Sequence, residues 1–419
     1  MPEQEIIAGL DIGSTAIRLA VGQRLGQEEK IHIIGSAEVP AEGISKGIVS
    51  SIEDAVSAIT GCLEKAERMA GRPIESAWVG ISGSHIISQE SRGVVAVARS
   101  DGEISEDDVA RAIEAARTVV TPPNYEILHV IPKGFIVDGQ AGIKDPVGMT
   151  GVRLEVDTQI IQGLSSQIKN LTKAVYRPGL NIEDLVLSIL ATAEAVITSR
   201  QKELGVAVVN IGGSTTGLAV YEEGDIIHTA VLPVGSDHIT SDIAIGLRIP
   251  IDAAEKIKLE YGSALPEGVG KREEIDVGEL EGKESNFVSK KYIAEITEAR
   301  VEEIFSKINN ELKKIDRSGK LPAGAVLVGG GAKLNGLVEA AKKQLRLPAS
   351  LGKPLAVTSA IDKVSDPAFA TAIGLVIWGS QVSRQGGGGN LGKILSRLPS
   401  LKGVAGQAKK MLGKFLGRR

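Results

Sequence analysis

The chain of 419 residues reads as an α/β protein assembled from two related halves. Residues 6–22 run Ile-Ile-Ala-Gly-Leu-Asp-Ile-Gly-Ser-Thr-Ala-Ile-Arg-Leu-Ala-Val-Gly, an apolar run that turns at Gly13-Ser14-Thr15 and resumes with Leu19-Ala20-Val21. Residues 205–221, Gly-Val-Ala-Val-Val-Asn-Ile-Gly-Gly-Ser-Thr-Thr-Gly-Leu-Ala-Val-Tyr, repeat the plan. A constant offset of 199 sets Asp11 on Asn210, Gly13 on Gly212 and Leu19-Ala20-Val21 on Leu218-Ala219-Val220 without a gap. Each stretch predicts a β-hairpin with a small-residue turn. Strand-like and helix-like patterns alternate between and after them, which points to α/β layering.

The helices follow in order. Ile52, Ala55, Val56, Ile59, Leu63 and Ala66 recur with helical period between Ser51 and Ala70. Ser105 ahead of Glu106-Asp107-Asp108 predicts a capped helix running towards Val119 and stopped by Pro122-Pro123. Further helices are expected over Gln167–Val175, Ile251–Tyr261 and Val288–Ile315. Ala325–Val328 reads as a strand, followed by Gly329-Gly330-Gly331-Ala332-Lys333-Leu334 and a helix starting near Asn335. Gln385-Gly386-Gly387-Gly388-Gly389-Asn390 reads as a flexible linker by composition.

Composition narrows the function classes. The length is a soft prior for about two to four domains, and 42% hydrophobic with 24% charged residues is ordinary for a chain that buries a core. Aromatics at 3% are too few to stack on single-stranded nucleic acid. Cys62 alone excludes an intramolecular disulfide or a cysteine metal cluster, and it is expected as a small apolar helix residue. His32, His85, His129, His228 and His238 lack metal-ligand spacing. The acidic start predicts no signal peptide, and no run reaches the roughly 18 apolar residues needed to cross a bilayer. A cytosolic protein is expected.

The net charge of −4 hides an asymmetry: residues 384–419 hold nine Lys/Arg and no Asp/Glu, so the body carries 39 basic against 52 acidic residues, or −13. In the tail Leu401, Val404, Ala405, Ala408, Met411, Leu412, Phe415 and Leu416 recur at helical spacing and fill an arc of about 140°. Lys402, Lys409, Lys410 and Lys414 lie outside that arc, with Gly403, Gly406, Gly413 and Gly417 on the polar side. Each glycine costs about 1 kcal/mol against Ala, so the isolated helix is mostly unfolded. An anionic lipid surface would bury the stripe and attract the lysines, at about 1 kcal/mol per basic residue. Leu391, Ile394, Leu395 and Leu398 with Lys393 and Arg397 form a second, shorter amphipathic segment before Pro399.

The two hairpin turns and the triple-glycine junction suit a polyphosphate. Small residues let backbone N–H groups face phosphate oxygens, and the hydroxyls of Ser14, Thr15, Ser214 and Thr215 add donors. A helix N-terminus beside Gly329, Gly330 and Gly331 adds a favourable dipole. Neither a Gly-x-x-x-x-Gly-Lys-Ser/Thr loop nor a Gly-x-Gly-x-x-Gly fingerprint is present.

On these residues the sequence resembles the actin–Hsp70–hexokinase superfamily. Asp11-Ile-Gly-Ser-Thr is similar to its first phosphate loop, Asn210-Ile-Gly-Gly-Ser-Thr to its second, and Gly329-Gly-Gly-Ala-Lys-Leu334, with Ala332, to its adenosine motif. The closer resemblance is to the bacterial cell division FtsA family. It rests on Val79-Gly-Ile-Ser-Gly-Ser-His-Ile86, on Asp138–Met149 and Gly151–Val156, and on Gly235-Ser-Asp-His-Ile-Thr-Ser-Asp-Ile-Ala-Ile-Gly-Leu-Arg248. The matches extend over residues 5–383.

The resemblance implies an actin-like (ribonuclease H-like) duplicated two-lobed fold with an inserted small α+β domain and a C-terminal amphipathic tail. The first lobe would span 1–83, with 164–200 and 360–383 returning to it; the insertion 84–163; the second lobe 201–359; a linker with a short amphipathic segment 384–399; and a membrane-targeting helix 400–419. It implies ATP or ADP with Mg²⁺ in the cleft, Asp11 holding the metal through water, and Glu255 and Lys258 offered to sugar and base. It also implies self-association into a polymer, binding of the FtsZ C-terminal peptide and recruitment of later division proteins. The place would be the cytoplasmic face of the membrane at the division site.

Three departures weaken catalysis. Asn210 stands where the family usually has a metal-holding Asp, and an amide lacks the charge that favours a hard cation. Ala16 stands where the family usually has a Lys, and Arg18 would compensate only by reaching back. Ser188-Ile189 replaces a Glu-Pro whose Glu positions water. Phosphoryl transfer depends on positioning and charge neutralisation, so hydrolysis is expected to be weak or absent, with no catalytic residue. The other readings are a PilM-like pilus assembly protein of the same fold and an active ATPase related to sugar kinases or chaperones. Nucleic-acid binding by the tail is disfavoured by its apolar stripe.

Overall fold

The computed structural model describes residues 4–25, 30–118, 121–270, 272–278 and 285–385. The tail positions singled out from Leu401 to Leu416, including Lys409, Lys410 and Lys414, lie outside the described residues, as do the short segment before Pro399 and the four glycines of the linker.

Three sheets organise the chain. The first has six strands in the order 181–187, 76–81, 4–12, 16–25, 31–40, 357–358. Helix Ile52–Ala70 packs on it through Ala55, Ile59, Cys62, Leu63 and Ala66. The Ser51 hydroxyl accepts from the Asp54 N–H, and Gly71, at φ 71°, ends the helix in the left-handed region that favours glycine. Cys62 is buried as expected, and burial pushes its thiol up to about 12.

The second lobe has five strands in the order 225–232, 216–222, 206–211, 325–328, 349–351. Its core also takes residues from helices Ser236–Leu247, Ile251–Tyr261, Lys290–Lys314 and Leu337–Leu345. The duplication extends to strand register. Asp11 pairs with Arg18 and Ile12 with Ile17; Asn210 pairs with Gly217 and Ile211 with Thr216, each 199 positions on. The turn bond repeats as well: Gly13 N–H donates to Ala16 O at 3.2 Å, and Gly212 N–H to Thr215 O at 2.9 Å.

Between these lobes in sequence lies a small antiparallel sheet, in the order 86–96, 153–164, 125–137, 140–143. Helix Glu106–Arg117 covers it with a separate core of Ile104, Val109, Ile113, Leu154 and Val156. Gly93 makes the close approach possible, since a Cβ there would meet Ala112 O at 1.9 Å. Ser105 and Asp108 form a capping box. Burial works to raise the Asp108 carboxyl, but bonds from Ser105, Arg111 and Ala98 hold it down at about 2.

Two helices join the lobes. Ser188–Val196 is buried on nearly every side, and Ala370–Gln385 packs against it, with Gly374 so close that a Cβ would lie 2.0 Å from Ala191 O. Local departures from the sequence reading are few. Val288 belongs to a short strand, Phe287–Ser289, paired with Glu274–Asp276, so the helix begins at Lys290. After the triple glycine a 3-10 turn, Gly330–Lys333, precedes the α-helix, which starts at Leu337 behind Gly336 at φ 74°.

Candidate functional site

Gly13, Gly212 and Gly330, drawn from three distant parts of the chain, line one cavity of about 540 Å³ between the lobes. The two hairpin turns meet across it. A Cβ added to Gly213 would lie 2.1 Å from Thr15 Oγ1 and 2.6 Å from an Asp237 carboxylate oxygen. The N–H groups of Ser236 and Asp237, at the start of their helix, donate to Gly212 O and Gly213 O, which locks the second turn onto that helix. The third glycine segment closes the wall: Gly329, at φ 90°, stands against Asn210 and Ile211, where a side chain would collide with both.

Of the residues singled out in the sequence, Asp11, Ser14, Thr15, Asn210, Gly213, Thr215, Glu255, Lys258, Gly329 and Gly331 line the same cavity. Ser214 and Ala332 are not among its lining residues. The Ser214 hydroxyl donates to Asp237 Oδ2 at 3.0 Å, and Ala332 is buried in the second-lobe core. The Ser14 hydroxyl is partly engaged, accepting from Gly47 N–H at 2.9 Å.

The electrostatics centre on Asp11. Burial pushes its carboxyl up to about 6, and the neighbouring Arg18, its cross-strand partner, pulls it back only in part. Arg18 itself lines the cavity, binds Glu38 at 2.7 Å and stacks over Phe369 at 5.7 Å. Its Nε is buried without a hydrogen-bond partner. The positive charge missing at Ala16 is thus present at the cavity, two residues further along the same hairpin. Lys258 is nearly fully buried; it donates to Thr240 Oγ1 at 2.9 Å and pairs with Glu255 at 2.7 Å. Lys333 reaches the wall while paired to Asp366 at 2.9 Å.

Asn210 donates through Nδ2 to Thr371 Oγ1 at 3.0 Å. Ser188 and Ile189 both line the cavity, and neither brings a carboxylate. The sequence reading missed Asp237 and Thr371, both at the wall. Asp237 sat inside the quoted stretch Gly235–Arg248, whereas nothing local to Thr371 marks it.

His129 accepts from Leu187 N–H at 2.9 Å, and burial lowers its imidazole to about 4. Among the described residues no group of three or more His, Cys, Asp or Glu is placed to hold a metal ion, and no helix is long and apolar enough to cross a membrane. The half-buried Asp11 carboxylate, raised by loss of solvent, fits a hydrated cation, whose charge would restore the ionised form.

Comparisons with known proteins agree with this architecture. A profile described as cell division protein FtsA matches residues 207–374, and one described as an SHS2 domain inserted in FTSA matches residues 83–162. The chain is 38% identical to the cell division protein FtsA of Pseudomonas aeruginosa over 382 residues, 91% of each chain. It is 39% identical to that of Neisseria meningitidis over 406 residues, 94% of this chain and 97% of the relative. It is 37% identical to that of Bacillus subtilis over 376 residues, 90% and 84%. Among solved structures, the PilM-PilN type IV pilus biogenesis complex aligns with TM-score 0.66 at 19% identity, over 89% of this chain and 98% of that one. MreB5 of Spiroplasma citri bound to ADP aligns with TM-score 0.53 at 14% identity, over 92% and 99%. These structures show the actin-like fold, here with the SHS2 insertion. The chain belongs to the FtsA family of bacterial cell division proteins.

Proposed function

We propose that the body binds an adenine nucleotide with Mg²⁺ in the inter-lobe cavity, and that the tail holds the protein on the cytoplasmic face of the membrane at the division site. The convergence of three glycine turns on one cavity beside a half-buried, partly compensated Asp11 carries the first half. Backbone N–H groups in such turns bind phosphate oxygens without needing side-chain charge. Gly13, Ser14 and Thr15 face one end of a polyphosphate, and Gly212, Gly213 and Thr215 the other. Gly329, Gly330 and Gly331 accommodate the nucleoside, with Glu255 and Lys258 alongside. A bound Mg²⁺ would neutralise phosphate charge, and Asp11 is the carboxylate to hold its water shell. The ADP in the MreB5 neighbour supports a nucleotide in this fold.

Hydrolysis is slow or absent in this reading. Asn210 brings no charge, and Ser188-Ile189 brings no carboxylate to orient water. ATP turnover should stay at background. Steady turnover abolished by Asp11→Ala would overturn that part, and calorimetry without ATP binding in Mg²⁺ would overturn the nucleotide site.

The tail supports tethering through its apolar stripe and lysines against a body of opposite charge. Family membership supports the partners: the FtsZ C-terminal peptide, further copies of this chain in a polymer, and later division proteins. The test mixes the full chain with ATP, labelled FtsZ and vesicles containing anionic lipid. FtsZ should float with the vesicles, and Leu412→Glu with Phe415→Glu should leave both proteins in solution. Flotation unchanged by the double substitution refutes the lipid helix. Vesicle-bound protein that leaves FtsZ behind refutes the tether.

A further inference from the structure

The hydrogen bonds behind Asn210 run in one direction, and counting protons fixes it. Thr192 Oγ1 donates to the Ser188 carbonyl at 2.7 Å, which spends its only hydroxyl proton. The hydroxyls of Thr192 and Thr371 stand 2.9 Å apart, so the proton between them belongs to Thr371. The oxygen of Thr371 is then left with lone pairs alone. Asn210 Nδ2 lies 3.0 Å from Thr371 Oγ1 and 3.5 Å from Thr192 Oγ1, and only a donor satisfies that position. Thr192 is fully buried, and Thr371 is buried except for the edge it gives to the cavity.

The three residues come from three elements. Asn210 is on second-lobe strand Val206–Ile211, Thr192 on helix Ser188–Val196 and Thr371 on helix Ala370–Gln385. We propose that Asn210 is a positioning residue whose amide clasps the second lobe to both connecting helices at the base of the cleft, and that the proton polarity of this clasp demands a donor at position 210. A carboxylate of the same shape would face two hydroxyl oxygens with no proton to share. Restoring the acid therefore opens the clasp instead of completing a metal site. All of these bonds lie within the chain and none depends on a bound nucleotide.

The test compares the full chain with N210D, T192V and N210D/T192V by thermal unfolding between pH 8 and pH 5 in EDTA. N210D should melt lower than the parent by about 2–4 °C at pH 8. A protonated carboxyl carries an O–H that replaces the amide donor. Its folded pKa is therefore raised, and the deficit should shrink steadily as pH falls below that value towards the ordinary carboxylate range. The acids facing the same cavity are Asp11, Asp237, Glu255 and Glu260; the bases are Arg18, Lys258 and Lys333. All are common to both proteins, so the difference between the two curves isolates position 210.

T192V removes the acceptor of the Thr371 proton and frees that proton to turn towards residue 210. T192V alone should lower the melting temperature, whereas N210D/T192V should match or exceed N210D at pH 8. A deficit independent of pH, no deficit at all, or the same cost of T192V in both backgrounds overturns the proposal. Failure of N210D to fold even at pH 5 overturns it as well.

Discussion

Gly330→Ala places one methyl group on the cavity wall and disturbs nothing else. The position lines the cavity, its φ lies outside the left-handed region, and a Cβ built there meets no heavy atom within 4 Å. The ligand-free protein should therefore keep its stability or gain about 0.4–1 kcal/mol from a stiffer unfolded chain. Neighbouring Gly331 cannot serve, because its Cβ would lie 2.6 Å from Ile211 Cγ2 and a loss of fold would confuse the result. If a nucleotide packs against the triple-glycine wall, the methyl pushes it off and costs at least one N–H bond to a charged or polar ligand atom. Such a bond contributes about 1.5–3 kcal/mol, or roughly a 10- to 150-fold loss of affinity. Calorimetric titration with MgATP measures that loss, and a thermal melt of the ligand-free protein checks that the fold is intact. Undiminished affinity with an unchanged melt would refute the placement of the nucleoside. A lowered melt would refute the reading of that wall as open space.

Asp11→Asn should stabilise the ligand-free protein at high pH while weakening MgATP binding. Burial raises the Asp11 carboxyl from its ordinary 3.8 to about 6, so the fold opposes its ionisation. The parent therefore loses stability as pH rises from about 4 through 6, and the variant does not. The gap should be absent near pH 3.5, grow to pH 6 and stay level above it, as followed by melts in EDTA; a gap that widens towards acid contradicts the assignment. Gly374→Ala should destabilise by about 1–3 kcal/mol, because its Cβ would stand 2.0 Å from the backbone oxygen of Ala191. Denaturant titration measures that cost, and a neutral result would mean that the two connecting helices separate easily.

Much of this molecule is legible locally. The turn at Gly13-Ser14-Thr15, its copy 199 residues on and the capped helices all depend on contacts within a few positions of the chain. Turn chemistry and hydrophobic period are short-range properties, so they survive in the order of residues. Even the shared strand register follows from one turn repeated with the same spacing. The tail's amphipathic pattern is legible in the same way, through composition and period alone.

What the order of residues left open concerns partners far apart. Ala16 read as a missing cation, yet Arg18 stands at the cavity because residues two apart on a strand face the same side. Asn210 read as an acid deprived of its charge; tertiary packing brought Thr371, 161 positions away, to where its hydroxyl oxygen accepts from the Asn210 amide. Asp237 became part of the wall only when its helix docked on the second turn. Hydrogen-bond polarity and the burial that shifts Asp11 belong to three-dimensional neighbourhoods. No window of sequence contains them, because the groups that create them meet only after the lobes have closed.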